Sequence, residues 1–314
     1  MTGKSKSYAL HLCLIALLAA AFFILPQYHV GVLSRVMVLA VYAMGYNMLF
    51  GYTGLLSLGH ALFFAAGMYG FGLSVQQGGL PTGLALLIGL ATAFTVSLVV
   101  GFLALRTKEV AFMIVTLMFA QAGYLTVLYF GSITRGDEGF VINTAKRALF
   151  GVDLSDETAR FWAALLLFSV TLLAMAALVK SSFGRALIAV RENEERAMML
   201  GYDTHRLKYV AVLLSGTLAG IGGMAYALLF GYVGATFASV QYSIFPLLWV
   251  LLGGAGTTIG PLLGVLFMYY LIDISSSFTD AYMLVAGVAL LILCLFAPQG
   301  LAGELRKRVF PWLP

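Results

Sequence analysis

KSSFGRALIAVRENEERAMMLGYDTHRLK, residues 180–208, is the densest cluster of charge in a chain that is otherwise mostly apolar. Arg185, Arg191, Glu192, Glu194, Glu195 and Arg196 crowd together, with apolar sequence of about a helix length on either side. Such an island is too long for a plain turn between two spans and too short for a domain. It reads as two short helical pieces. The first covers Gly184 to Val190. The second opens at Asn193, a good N-cap, and sets Glu194 and Glu195 in the first turn, where the positive end of the helix dipole favours them. Leu200 ends it, and Gly201 supplies a left-handed stop. A short capped helix between membrane spans is a shape that a docking partner grips; the same charge run also suits a solvated connector.

Composition sets the class. Of 314 residues, 61% are hydrophobic and 10% charged, with a mean hydropathy of +0.98. Soluble domains carry about 25% charged residues, so the chain reads as an all-α polytopic membrane protein. The net charge of +5 is no sign of nucleic-acid binding, because the lysines and arginines lie at the ends of apolar runs. Cys13 and Cys294 both fall inside apolar segments and offer neither a disulfide framework nor a metal site.

Spans are expected over residues 8–26, 30–50, 60–75, 81–105, 111–130, 161–179, 209–232, 242–252, 262–274 and 282–296. That is about ten crossings (eight to ten), several of them shorter than the usual span of about 20 residues. Residues 1–314 are expected to form one transmembrane domain, with a mixed-charge loop at 131–160 and the charged loop at 180–206. Orientation follows from lysine and arginine in short loops. An N-terminus inside places Lys4, Lys6, Arg106, Lys108, the six basic residues from Lys180 to Lys208, and Arg306, Lys307 and Arg308 in the cytoplasm. Only Arg35, Arg135, Lys146, Arg147 and Arg160 remain outside. Both termini and the island are therefore expected in the cytoplasm.

Two glycine-broken stretches interrupt the apolar sequence. GYTGLLSLGH holds Gly51, Gly54, Ser57, Gly59 and His60; GGAGTTIGP holds Gly253, Gly254, Gly256 and Gly260. Each adjoins a short span. Unwound backbone at membrane depth must line a cavity or be buried in protein. In transporters, interrupted segments in corresponding halves point to the pathway, while close helix packing through small residues is the alternative. Ionisable groups within spans are few: His60, Arg35 and Asp273, all near predicted ends. With no buried series of acidic or basic groups, no Walker A loop and no HExxH, the pattern disfavours an ion-coupled carrier and an enzyme.

The sequence resembles the membrane subunit of a bacterial ABC importer, in the branched-chain amino acid permease family and its LivM-like type. GYTGLLSLGHALFFAAGMYG at 51–70 resembles the family's GY-x-G-x-LSLGHA-x-F-x-x-GAY signature. LRTKEVAFMIVTLMFAQ at 105–121 resembles its LRLRG-x-YFAIVTLAFA stretch. SSFGRALIAVRENEERAMMLGYD at 181–203 and VLLGGAGTTIGPLLG at 250–264 match its S-x-FGRAL-x-AIRE-x-E-x-AA-x-x-LGI-D and LGG-x-GS-x-x-GP-x-x-G motifs. The resemblance implies that the island is the loop that couples to an ATPase, through Gly184, Arg185, Arg191, Glu192, Glu194, Glu195, Ala197 and Gly201. It also implies no cofactor in this chain, with ATP and Mg on two partner ATPase subunits. Further implied partners are a homologous second permease, a substrate-binding protein and the bilayer of a bacterial inner membrane. The implied cargo is a branched-chain amino acid; related systems carry other amino acids, urea or short amides, and a stand-alone channel or carrier is the competing class. Arg135, Asp137 and Glu138 are the expected contacts for the binding protein. Two departures stand out: Glu109 and Ala111 replace the family's usual glycine and tyrosine, and Arg135 replaces the second glycine of a TGG-x-x-G pattern.

The orientation is tested by topology reporters. A reporter fused after Lys146 is expected to face outside and one after Arg196 the cytoplasm. Both on one side would refute the span count, and both inverted would refute the orientation.

Overall fold

The computed structural model describes residues 3–149, 151–297 and 299–308. The side chains of Lys4, Lys6, Cys294, Arg306, Lys307 and Arg308 lie outside the described residues. Every expected apolar run is helical, because only a helix satisfies all its own backbone groups away from water. The elements are α1 Gly3–Ile24, α2 Gln27–Thr53, α3 His60–Gln76, α4 Thr82–Ala104, α5 Glu109–Tyr129, the single turn α6 Gly131–Thr134, and α7 Glu157–Lys180. The island forms α8 Ser182–Glu192 and α9 Glu194–Met199. Then come α10 Thr204–Phe230, α11 Val240–Gly253, α12 Gly260–Ser276, α13 Tyr282–Phe296 and α14 Gly300–Arg308.

The architecture is an all-α polytopic membrane fold. Among the described residues α2, α4, α5, α7 and α10 are long and apolar enough to cross a membrane unaided. Tyr8–Ile24 of α1, Tyr282–Ile292 of α13, and α11 and α12 are shorter apolar helices. At 1.5 Å per residue the 14 residues of α11 reach only about 21 Å, against a hydrocarbon core of about 30 Å.

One helix organises the rest. From Val36 to Ala43 consecutive residues of α2 are buried, and a helix apolar on every side belongs inside a bundle. It packs on α7, α10, α11 and α12, while α3 and α4 pack on α10. At the periphery, α4 and α5 are mostly exposed, with only 17% of the apolar window of α5 buried in the protein. Lipid is as apolar as leucine, so burial from water does not drive these helices together; close approach does. On α10, Gly216, Gly220 and Gly223 form a smooth strip on which α3 and α4 lie. A Cβ at Gly223 would overlap the Phe64 carbonyl, and one at Gly220 the Ala93 side chain.

At the end away from the island, the long loop carries small strands. β1 Phe140–Val141 and the later β4 Tyr232–Val233 pair antiparallel, and β2 Ala148–Leu149 pairs with β3 Val152–Asp153. Two adjacent cations fasten this loop to helix ends. Lys146 Nζ donates to the Val75 and Gln76 carbonyls at 3.1 and 3.2 Å. Arg147 Nε donates to Leu228 O at 2.7 Å, and its Nη2 to Leu229 O. Both sit where a helix C-terminus carries partial negative charge.

Boundaries shift from the expected ones for local reasons. The loop at 131–160 ends earlier, because Asp156 caps α7 through the Thr158 and Ala159 amides and Glu157 and Arg160 form its first turn. The loop at 180–206 loses Lys180 to α7 and its last residues to α10, which Asp203 caps through the Arg206 amide at 3.0 Å. The span expected from Tyr209 accordingly begins at Thr204.

Gly223→Ala is expected to destabilise the bundle by about 1–3 kcal/mol through overpacking. Gly83→Ala, where an added Cβ meets nothing within 4 Å, is expected to be neutral or mildly stabilising. Thermal unfolding of the two variants in one detergent reads the difference, and equal melting would refute the close-packing role of the strip.

Candidate functional site

The island folds as its residues dictate. Ser181 caps α8 through the Gly184 amide at 3.2 Å, and Gly184 is needed because a Cβ there would strike the Leu178 carbonyl. Ala186, Leu187 and Val190 bury one face of α8. Asn193 is extended (φ −164°), breaks the helix, and caps α9 by accepting from the Arg196 amide at 2.9 Å. Gly201 follows at φ +87°, the left-handed stop expected for that position.

The expected coupling residues divide by what they touch. Gly184 and Ala197 are buried packing positions. Arg185 donates to the Lys180 carbonyl at 2.7 Å, closing the C-terminus of α7. Glu194 pairs with Lys208 Nζ at 2.5 Å and so ties α9 to α10. Partial burial alone would raise the Glu194 pKa, but the Lys208 ammonium, with a hydrogen bond from Thr204 and the charge of Lys108, holds the carboxyl below its usual range. Glu192 and Glu195 are exposed. Beside them Met199 and Leu200 are 84% and 77% exposed, an apolar tip on a charged loop. A groove lined by Ala189, Glu192, Asn193, Arg196, Ala197 and Leu200 runs along the bend between α8 and α9.

Arg191 is itself exposed but reaches across to the bundle. Its Nη1 donates to the Gly51 carbonyl. Its Cγ would lie 3.2 Å from a Cβ at Gly54, and its Nη1 2.9 Å from one at Gly256. One guanidinium thus touches both glycine breaks. The breaks also meet directly. Asn47 Nδ2 donates to Thr257 O at 2.9 Å and its Oδ1 accepts from the Gly256 amide at 2.9 Å. Gly51 lies so close that a Cβ there would sit 2.5 Å from the Gly256 nitrogen.

Other expected pathway residues are engaged within the bundle. Gly54 (φ +77°) ends α2. Gly59 lets α3 start against the Thr116 carbonyl. His60 is fully buried. Its Nδ1 lies 3.1 Å from Ser57 Oγ and its Nε2 2.8 Å from Ser215 Oγ. Ser215 donates to the Gly45 carbonyl at 2.5 Å, so its oxygen accepts from Nε2–H, and Nδ1 accepts from Ser57. Nε2 joins α3 to Ser215 of α10, which in turn bonds α2, and Nδ1 is held by Ser57 in the linker before α3. Gly253 and Gly260 allow the tight α11–α12 turn, their backbones being too close for a side chain, while Gly254 (φ +114°) and Gly256 (φ +76°) need glycine for their backbone shape. Arg135, Asp137 and Glu138 are exposed at the opposite end.

Several contributors have no clear signal in the sequence. Asn47 reads there only as a lone amide near the end of a span. His11, buried on α1, reaches Thr258 Oγ1 at 2.8 Å and so joins α1 to the second break. Lys208 is indistinguishable from its basic neighbours until α9 and α10 fold together.

The profile of the family described as branched-chain amino acid transport system / permease component matches residues 28–295. The chain belongs to this permease family. It is 28% identical to the high-affinity branched-chain amino acid transport system permease protein LivM of Escherichia coli, over 98% of this chain and 78% of that protein. LivM of Salmonella typhimurium gives 28% over 98% and 77%. LivH of Escherichia coli, a permease protein of the same kind of system, gives 25% over 84% of this chain and 91% of its own length. No solved structure matches. Among the described residues Glu109 (φ +48°) and Arg135 (φ +63°) are the non-glycine residues with positive φ. They are also the positions where the resemblance implies a glycine, the residue that adopts a positive φ without strain.

Asn47→Leu fills the same space without the amide. It is expected to cost about 1–3 kcal/mol for each buried partner left unpaired, here Thr257 O and the Gly256 amide. Unaltered thermal stability in detergent would refute the bridge.

Proposed function

We propose that this chain is the transmembrane permease subunit of an ABC importer that moves branched-chain amino acids into the cytoplasm. Family membership supports the transport role. The observation that carries the coupling role is the two-sided island: an exposed Met199–Leu200 tip faces outward, and Arg191 on the same loop touches both glycine breaks.

In this reading the chain crosses the bacterial inner membrane ten times with both termini cytoplasmic, α3, α11, α12 and α13 being short crossings. ATP and Mg belong to two partner ATPase subunits that grip α9, and a LivH-like second permease completes the pore. A binding protein docks at the outer loop through Arg135, Asp137 and Glu138, where exposed mixed charge steers a transient contact. A displacement of α9 is carried by α8 and the Arg191 guanidinium to Gly51 and Gly256. There, backbone without side chains allows α2 and the α11–α12 turn to shift against each other. The same contact brings together the stretches 51–70, 181–203 and 250–264, far apart in sequence, and supports reading them as one site. The glycine breaks then serve as an inner gate of the pathway.

The test separates grip from transmission. Met199→Asp with Leu200→Asp is expected to insert normally but lose ATPase co-purification by tenfold or more, the scale of a lost interface anchor. Arg191→Ala is expected to keep the ATPases and lose uptake of labelled leucine in proteoliposomes. Full uptake in both variants would overturn the coupling reading. Failure of the wild-type assembly to take up any branched-chain amino acid would overturn the cargo.

A further inference from the structure

Arg35 and Asp273 are charged groups that the coupling mechanism leaves unused. Each is held by a tyrosine at the contact between α2 and α12. On α12, Tyr269 and Asp273 are one turn apart and face the first turns of α2. Tyr28 donates to the Asp273 carboxylate, and Arg35 Nη1 donates to the Tyr269 hydroxyl at 3.2 Å. Among the described residues neither charge has an opposite partner within ion-pair distance; the carboxylates and cations that do pair are Glu157 with Arg160, Asp203 with Arg206 and Glu194 with Lys208. Arg35 instead lies over the Phe230 ring at 5.4 Å.

α11 itself starts late. Tyr242, in its first turn, already stacks on Tyr42 from the middle of α2, with centroids 5.9 Å apart and planes at 7°. Beside the face of α11 that carries Tyr242, Phe245 and Trp249 lies a cavity of about 300 Å³. Tyr226, Phe237, Tyr242, Phe245 and Trp249 wall it, and Tyr269 and Asp273 stand at its mouth. Ligand pockets begin at about this volume and combine apolar walls with a few placed polar groups.

We propose that this cavity is a transfer site for a zwitterionic amino acid with a branched aliphatic side chain, between its delivery at the outer face and the inner gate. The inference rests on the transport reading above and names where the cargo is held. Asp273 receives the α-ammonium, which the aromatic faces also favour. Arg35 and the Tyr269 hydroxyl receive the carboxylate, a pairing that guanidinium geometry suits. The aliphatic side chain enters the aromatic box. One charge at the mouth, Asp273, and an opposite one beside it, Arg35 on the Tyr269 hydroxyl, match a zwitterion and disfavour ligands that carry only one of them.

The experiment uses the assembled importer in nanodiscs without its binding protein. Ser276→Cys, lining the cavity, is alkylated with a labelled maleimide in a background carrying Cys13→Ser and Cys294→Ser, and the label is read on this chain's own band. Leucine, isoleucine and valine are expected to slow alkylation. Two leucine analogues, 4-methylpentanoate without the amine and 3-methylbutylamine without the carboxylate, are expected to protect about tenfold more weakly, the loss of one charged contact. Asp273→Asn keeps an acceptor for Tyr28 but removes the charge, and is expected to erase the preference for leucine over 4-methylpentanoate. Arg35→Gln is expected to erase the preference over 3-methylbutylamine. An importer that takes up leucine yet shows no protection, or equal protection by the analogues, overturns the site alone. One that takes up no branched-chain amino acid overturns the transport reading beneath it as well.

Discussion

Two hydrogen bonds from one side-chain amide hold the middle of this protein together. Asn47 donates to one backbone group of the α11–α12 turn and accepts from another, which settles groups that lipid would leave unpaired at a cost of several kcal/mol each. The broken helices are tolerable because the breaks face each other. Glycine at 51 and 256 lets the two backbones approach, and Arg191 from the island closes the remaining carbonyl. Removing any one of these leaves buried polar groups without partners, so the junction behaves as a unit.

Around that junction the helices meet in two ways, by close backbone approach and by side-chain hydrogen bonds. The glycine strip of α10 brings α3 and α4 into backbone contact, and His60 pins the same region with both ring nitrogens. The α11–α12 turn is tied to the other helices through Asn47 and His11 and closes on itself through Thr257 Oγ1 to the Gly254 carbonyl at 2.7 Å.

Much of this was legible in the sequence. Apolar runs give helices because no other element satisfies its backbone in lipid, so α3 and α13 begin at the residues expected. The bend at Asn193 and the stop at Gly201 were readable because capping chemistry is local. What could not be read is what depends on the third dimension. Asn47, His11 and Ser215 are ordinary polar residues until distant segments arrive beside them. Glu194 and Glu195 are neighbours of the same type, yet one is tied to Lys208 and the other is exposed. The glycines of the two breaks likewise split into those required for backbone shape and those required for close approach, a distinction that spacing alone does not carry.

Lys146 and Arg147 have a consequence for how the long loop tolerates changes of length. Adjacent in sequence, they grip the ends of two different helices, α3 and α10. An inserted or deleted residue elsewhere in the loop can be absorbed locally, as exposed loop tips usually allow. One placed between these two would move one cation off its helix end whichever way the chain relaxed. Relatives that differ in loop length are therefore expected to vary on either side of a basic pair and to keep the pair itself contiguous.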